Sequence, residues 1–280
     1  MNDRTIDTNQ HPTSVSVTAH VEAQVTTVSD LVFSVAVATT PTGPAVTDET
    51  LTVTVDGQQM VLEEIEAPFG GRLHLANGIP AGQLVMDYAA TTSGSAPGGI
   101  VTAYEAVQFC RPSRYAESDK LAIIGSKRFQ GLAGQELIDR IVDWVHENLF
   151  YVPGSSGPTD GAVDTYLAQE GVCRDFAHLT IAMLRACGIP ARLVAVYAPG
   201  LTPMDFHAVV EAALDGRWQV VDATRLAPRA SLVRIATGAD AGETSFLTTQ
   251  SGGLVLGDLT VTAVADGGLP TEDPQAVVYL

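Results

Sequence analysis

Three residues in the second half of the chain have the types and order that nucleophilic acyl transfer needs: Cys173, His207 and Asp222. A thiol is useful as a nucleophile when a base takes its proton and a third group orients the base. Cys173 opens an apolar run, Cys173–Cys187, that ends at Gly188-Ile189-Pro190, a helix stop of glycine followed by proline. The first turn of a helix carries unpaired backbone N–H groups and the positive end of the dipole, which favour a thiolate over a thiol. Asp175, two residues on, works against that bias, and an imidazolium beside the sulfur would have to outweigh it. The other two cysteines lack this setting. Cys187 lies at the wrong end of the same helix, and Cys110 precedes Arg111-Pro112 with no base in view, so both read as structural.

His207 and Asp222 flank Asp215-Gly216, a two-residue turn signal between two strand-like runs. A two-residue loop pairs Leu214 with Arg217 and Ala213 with Trp218. Val209 then falls opposite Asp222. Period-two alternation puts His207 and Asp222 on one face as diagonal neighbours, close enough for a carboxylate to accept a hydrogen bond from an imidazole. A slip of one residue would separate them. The flanking residues, Phe206 to Ala213 and Trp218 to Val221, are apolar on both faces, so a buried histidine–aspartate pair is expected there.

The elements that must hold these residues come from hydrophobic periodicity. Alternation over Val15–Ala19 and Leu51–Val55, punctuated by Pro41–Pro44 and Asp56-Gly57, predicts short antiparallel strands and no helix before residue 115. A helix follows at 134–149, then a glycine-rich loop at 153–158 and a short helix at 162–169. Strands are expected at 192–198, 206–214, 217–222, 231–236 and 254–265. The resulting division is a flexible N-terminus at 1–12, an all-β sandwich-like domain at 13–104, an α+β core at 105–266 and a coil tail at 267–280.

On the helix begun by Cys173, residues Arg174, His178 and Arg185 fall within about 40° of one another on the helical wheel. They read as one exposed polar edge on a buried helix. His146 reads as solvated, and His11, His20 and His74 have no evident partners. The formal charge of −17, with 32 acidic against 15 basic residues, disfavours nucleic acid and anionic membrane as partners. No apolar run approaches the length of a membrane helix, no leader is seen at the N-terminus, and three cysteines do not make a disulfide framework. A cytoplasmic setting is expected. No cofactor or metal ion is expected, since no Cys, His or acidic cluster has ligand spacing.

The text Gly171-Val172-Cys173-Arg174-Asp175-Phe176-Ala177-His178, then Gly188-Ile189-Pro190-Ala191-Arg192, Phe206-His207-Ala208-Val209-Val210 and Trp218-Gln219-Val220-Val221-Asp222-Ala223-Thr224, resembles the transglutaminase-like superfamily of papain-fold proteins. The resemblance covers about residues 105–245 and is strongest to bacterial members with a preceding β-domain. It implies a catalytic triad of Cys173, His207 and Asp222, a peptide or protein amide as substrate, and hydrolysis or transamidation through a thioester. It also implies an oxyanion stabiliser upstream of the cysteine, for which Tyr151 or Asn148 is available beside the Cys173 backbone N–H. Calcium is not implied, because no acidic calcium loop is present. Because the family includes silent members, a non-catalytic peptide-binding or assembly protein is the alternative expectation.

Overall fold

The computed structural model describes residues 11–41, 43–94 and 98–280. The flexible terminus expected at 1–12 lies almost wholly outside the described residues.

Six strands come first: β1 (Ser14–Phe33), β2 (Ala45–Val55), β3 (Gln58–Gln59), β4 (Glu63–Glu66), β5 (Arg72–Ile79) and β6 (Gly82–Ser93). They form one antiparallel sheet in the order β3-β2-β6-β1-β5-β4. β1 is long enough to serve two halves. Its residues 14–25 pair with β6 and its residues 29–33 with β5. Register shifts between Val21 and Leu31 bend it between the two. The halves curl over one core in which Val17, Val21, Leu31, Phe33, Leu84 and Met86 are buried. Alternation along residues 14–25 of β1 and along β6 supplies Val17, Val21, Leu84 and Met86 from one face, while Ser16, Thr18, Gln24 and Asp87 face out.

The α+β core follows: α1 (Ala103–Gln108), α2 (Ser118–Arg128), α3 (Gly134–Asn148), β7 (Phe150–Tyr151), α4 (Ala162–Ala168), β8 (Glu170–Gly171), α5 (Cys173–Ala186), β9 (Ala191–Tyr197), β10 (Phe206–Leu214), β11 (Arg217–Val221) and β12 (Val233–Gly238). A four-stranded sheet, β11-β10-β9-β12, carries the helical layer on one face, where Ile138, Ile141, Leu179, Ile181 and Leu184 meet Leu193, Val210 and Val221. Its other face buries Val194, Val196, Val209 and Val220 beneath Leu201, Leu232 and the tail residues Val278 and Leu280.

The structure differs from the sequence expectation in three places. The strand β13 (Leu247–Ala265), expected within the core at 105–266, pairs with β1 from Val15↔Ala265 to Phe33↔Leu247, so it completes the first sheet. Its alternation cannot reveal which strand 230 residues away it will join. The helix α1 precedes residue 115. It is only six residues long, too short for periodicity, but it is fixed by a capping box in which Thr102 and Glu105 serve each other's backbone N–H. The tail is irregular, as expected, yet tied down: Val220 donates to the Val278 carbonyl at 2.8 Å, and Arg229 binds Glu272 at 2.7 Å.

Candidate active site

The turn that sets the site's register is Asp215-Gly216, with φ of 50° and 77°. Both values are left-handed, the requirement of the tight hairpin that Asp-Gly favours. The ladder β10–β11 then runs Leu214↔Arg217, Ala213↔Trp218, Ala212↔Gln219, Glu211↔Val220, Val210↔Val221. One step beyond, on the shared face, the His207 Nε2–H donates to Asp222 Oδ2 at 2.9 Å. Both residues are buried. Thr224 fixes the other carboxylate oxygen: its backbone N–H and its hydroxyl donate to Asp222 Oδ1 at 2.8 and 2.7 Å.

Cys173 begins α5 and is half-buried. With Nε2 engaged by Asp222, the buried Nδ1 has no hydrogen-bond partner, and the Cys173 sulfur is near enough to favour the protonated ring. Burial by itself would strip the proton from this imidazole. The Asp222 carboxylate, reinforced by the sulfur, overrides burial and raises the His207 pKa to about 10. Burial likewise opposes the Asp222 charge, but the imidazolium and the hydrogen bonds from His207 and Thr224 hold that carboxyl below its ordinary range.

The carboxylate of Asp175, which threatened the thiolate on sequence grounds, is turned away and consumed. It accepts the Val172 N–H at 2.8 Å and the Ser156 hydroxyl at 2.6 Å, and pairs with Arg174 at 3.2 Å. Arg174 also holds the glycine-rich loop through the Gly157 carbonyl at 2.7 Å. Gly171 is required by this packing, since a Cβ there would stand 2.6 Å from the Asp175 Cβ.

Tyr151 reaches Cys173 by another route. β7 and β8 pair in parallel, Tyr151 with Gly171, so the tyrosine is set beside the start of α5. Its ring lies 5.9 Å from that of Phe176. Its phenolic oxygen meets both the Cys173 backbone N–H and the sulfur, and burial together with the sulfur's charge pushes the phenol up to about 12. Asn148, the other residue considered, instead donates to the Trp144 carbonyl of its own helix at 2.8 Å.

The polar edge expected on α5 is not exposed. His178 and Arg185 are buried. The Arg185 guanidinium donates to the carbonyls of Ala191, Arg111 and Ala239 and to Ser113. His178 stacks on Tyr115 at 5.3 Å and accepts the Ala241 N–H on Nε2 at 3.2 Å; burial pushes its pKa down to about 4. Segments 111–115 and 239–241 cover this face, and nothing in the local pattern of α5 announces them. His146 is also held, donating to the Ala223 carbonyl at 2.9 Å. His11, His20 and His74 have partners in the Ala230 carbonyl, Asp87 and Glu64.

A helix that presents a half-buried thiol at its N-terminus, packed on an antiparallel sheet whose hairpin carries a buried histidine–aspartate pair, defines a papain-like fold of the transglutaminase type. The family profile described as the transglutaminase-like superfamily matches residues 128–223. A crystal structure of a candidate cysteine protease from Cytophaga hutchinsonii is 31% identical, covers 94% of both chains and superposes with a TM-score of 0.84. The chain belongs to the transglutaminase-like superfamily. Two uncharacterised mycobacterial proteins share shorter stretches. One from Mycobacterium leprae is 32% identical over 108 residues, 38% of this chain and 37% of its own length; one from Mycobacterium tuberculosis is 39% identical over 62 residues, 22% of this chain and 20% of its own. The match thus spans little more than a third of the longer-matching relative. Among the described residues, no helix is long and apolar enough to cross a membrane.

Proposed function

We propose that the protein is a cysteine acyl-transfer enzyme acting on a peptide or protein amide, with Cys173 as nucleophile, His207 as acid–base and Asp222 as the group that orients His207. The observation that carries this reading is the buried His207–Asp222 bond at 2.9 Å, on a ring whose proton the nearby Cys173 sulfur also favours. A buried, charged imidazole is costly unless a partner compensates it. Asp222 compensates it, and the charged ring is in place to hold the sulfur's negative charge once the thiol has given up its proton.

The Cys173 sulfur attacks the amide carbonyl carbon, forming the C–S bond as the carbonyl electrons move to oxygen. When the substrate oxygen displaces the Tyr151 oxygen from the Cys173 N–H, that N–H and the phenol hydroxyl are both free to donate to the oxyanion, and such donors are worth about 2–4 kcal/mol each in comparable sites. The C–N bond then breaks. The departing amine takes the proton from His207 Nδ1, leaving a thioester and a neutral imidazole held in its tautomer by Asp222. Water or an amine gives His207 a proton as it attacks the thioester; the C–S bond breaks, acid or new amide is released, and the sulfur leaves as thiolate beside the reprotonated ring.

Three unpaired cysteines fit a reducing, cytoplasmic setting for this chemistry. The test is capture of Cys173 by iodoacetamide at pH 7, followed by peptide mass spectrometry. Cys173 is expected to react at least tenfold faster than Cys110 or Cys187, whose thiols burial pushes up. Equal, slow labelling of all three would overturn the reading, as would full amidase or transamidase turnover by Cys173→Ala.

A further inference from the structure

Two residues before His207, where strand alternation returns to the same side, stands a carboxylate that the proposed chemistry does not use. Asp205 immediately precedes β10 and is exposed. Its Oδ1 accepts the N–H of Phe206 at 2.7 Å, which pins the side chain at the head of the strand that carries His207. Its charge is felt both by the Tyr151 phenol and by His207, the two groups that touch Cys173.

The cations of this part of the chain are committed elsewhere. Arg174 is bound to Asp175, Ser156 and the Gly157 carbonyl; Arg225 is paired with Asp143; and the His207 imidazolium is answered by Asp222. Asp205 has no ion pair among the described residues, and its surroundings already disfavour the carboxylate charge. An exposed carboxylate without a counter-ion, at the head of the strand that carries His207, is satisfied by a positive group arriving from outside.

We infer that Asp205 is a specificity-determining residue that selects substrates carrying a cationic group, a lysine ammonium or arginine guanidinium, beside the bond that Cys173 attacks. The cation is a binding group and not the attacking amine, because a carboxylate beside an amine keeps it protonated and therefore unreactive. This inference rests on the proposed role of Cys173 as nucleophile.

The test separates the two claims by using three thiol reagents of similar size and different charge: methyl methanethiosulfonate, its aminoethyl analogue and its sulfonatoethyl analogue. Each forms a mixed disulfide with the thiolate and releases methanesulfinate. Rates at Cys173 are read by peptide mass spectrometry. In the native protein the cationic reagent is expected to exceed the anionic one. In Asp205→Asn the ratio of cationic to anionic rates is expected to fall about three- to tenfold, the effect of one unit charge across a partly screened gap, with the neutral rate changed less than about twofold. Asp205→Glu, which keeps the charge, is expected to keep the ratio, and roughly 0.5 M salt to compress it more in the native protein than in Asp205→Asn. An unchanged ratio in Asp205→Asn overturns the inference. A neutral-reagent rate at Cys173 no greater than at Cys110 or Cys187 instead overturns the nucleophile reading, and the charge ratio is still measurable in that case.

Discussion

Replacing Asp222 by asparagine removes one charge and keeps an oxygen that can accept the His207 Nε2–H. The proton affinity of His207 rises from the ordinary 6.5 to about 10, and at about 1.4 kcal/mol per tenfold this is about 5 kcal/mol favouring the imidazolium. Asp222 is the largest favourable contributor, and burial opposes it. Without the carboxylate burial prevails, so His207 is expected to be neutral at pH 7. Histidine-selective NMR checks this directly: the native ring stays protonated through pH 8, and the Asp222→Asn ring does not. Iodoacetamide capture of Cys173 at pH 7 should fall by about two orders of magnitude in the variant, because the imidazolium that holds the thiolate is gone. Loss of stability should reach about 1–3 kcal/mol, since the amide keeps one acceptor for the His207 ring but turns its NH2 toward the Thr224 N–H, which loses its partner. A variant whose His207 remains charged at pH 8, or whose labelling rate matches the native protein's, would refute the assignment of Asp222 as the source of that charge.

The pH dependence of stability has two limbs of opposite sign. His178 binds its proton less tightly in the folded state, so stability is expected to fall by about 1.4 kcal/mol per pH unit from 6.5 down toward 4. His207 binds its proton more tightly, so its contribution is complete below pH 6.5 and is lost as pH rises toward 10. Urea midpoints should therefore peak near pH 6.5, and His178→Gln should flatten the acid limb alone. Gly171→Ala should destabilise by about 1–3 kcal/mol in urea unfolding and slow Cys173 labelling, because the new methyl displaces Asp175 from the start of α5. Tyr151→Phe should lower kcat on an amide substrate by about 10²-fold with KM little changed, since the hydroxyl acts on the oxyanion and not on the resting amide; an equal rise in KM would assign it to substrate binding instead.

The site was legible where local rules act alone. Asp215-Gly216 dictates a turn, the turn dictates a register, and the register puts His207 and Asp222 on one face. The helix from Cys173 was legible because its apolar run begins and ends on clear signals. What escaped depends on chain far away. Arg185 and His178 are polar by type but buried, because segments 111–115 and 239–241 supply carbonyls and an N–H that the helical wheel does not contain. Tyr151 was named with Asn148 from the sequence, but the choice between them rests on a parallel pairing of two-residue strands, too short to leave a pattern. The helix α1 did leave a signal in Thr102-x-x-Glu105, a capping box without an apolar run behind it.

The pairing of β1 with β13 makes the first sheet a discontinuous unit, with the whole α+β layer inserted between its second-last and last strands. During synthesis β1 must wait for more than two hundred further residues before its longest partner emerges. The inserted layer, with its own sheet and buried core, can collapse in that interval and bring the two ends of the interrupted unit together. Loss of the segment 247–265 would then strip one flank of β1 along nearly its full length and expose a long open edge, so self-association is the expected fate of a chain cut short there.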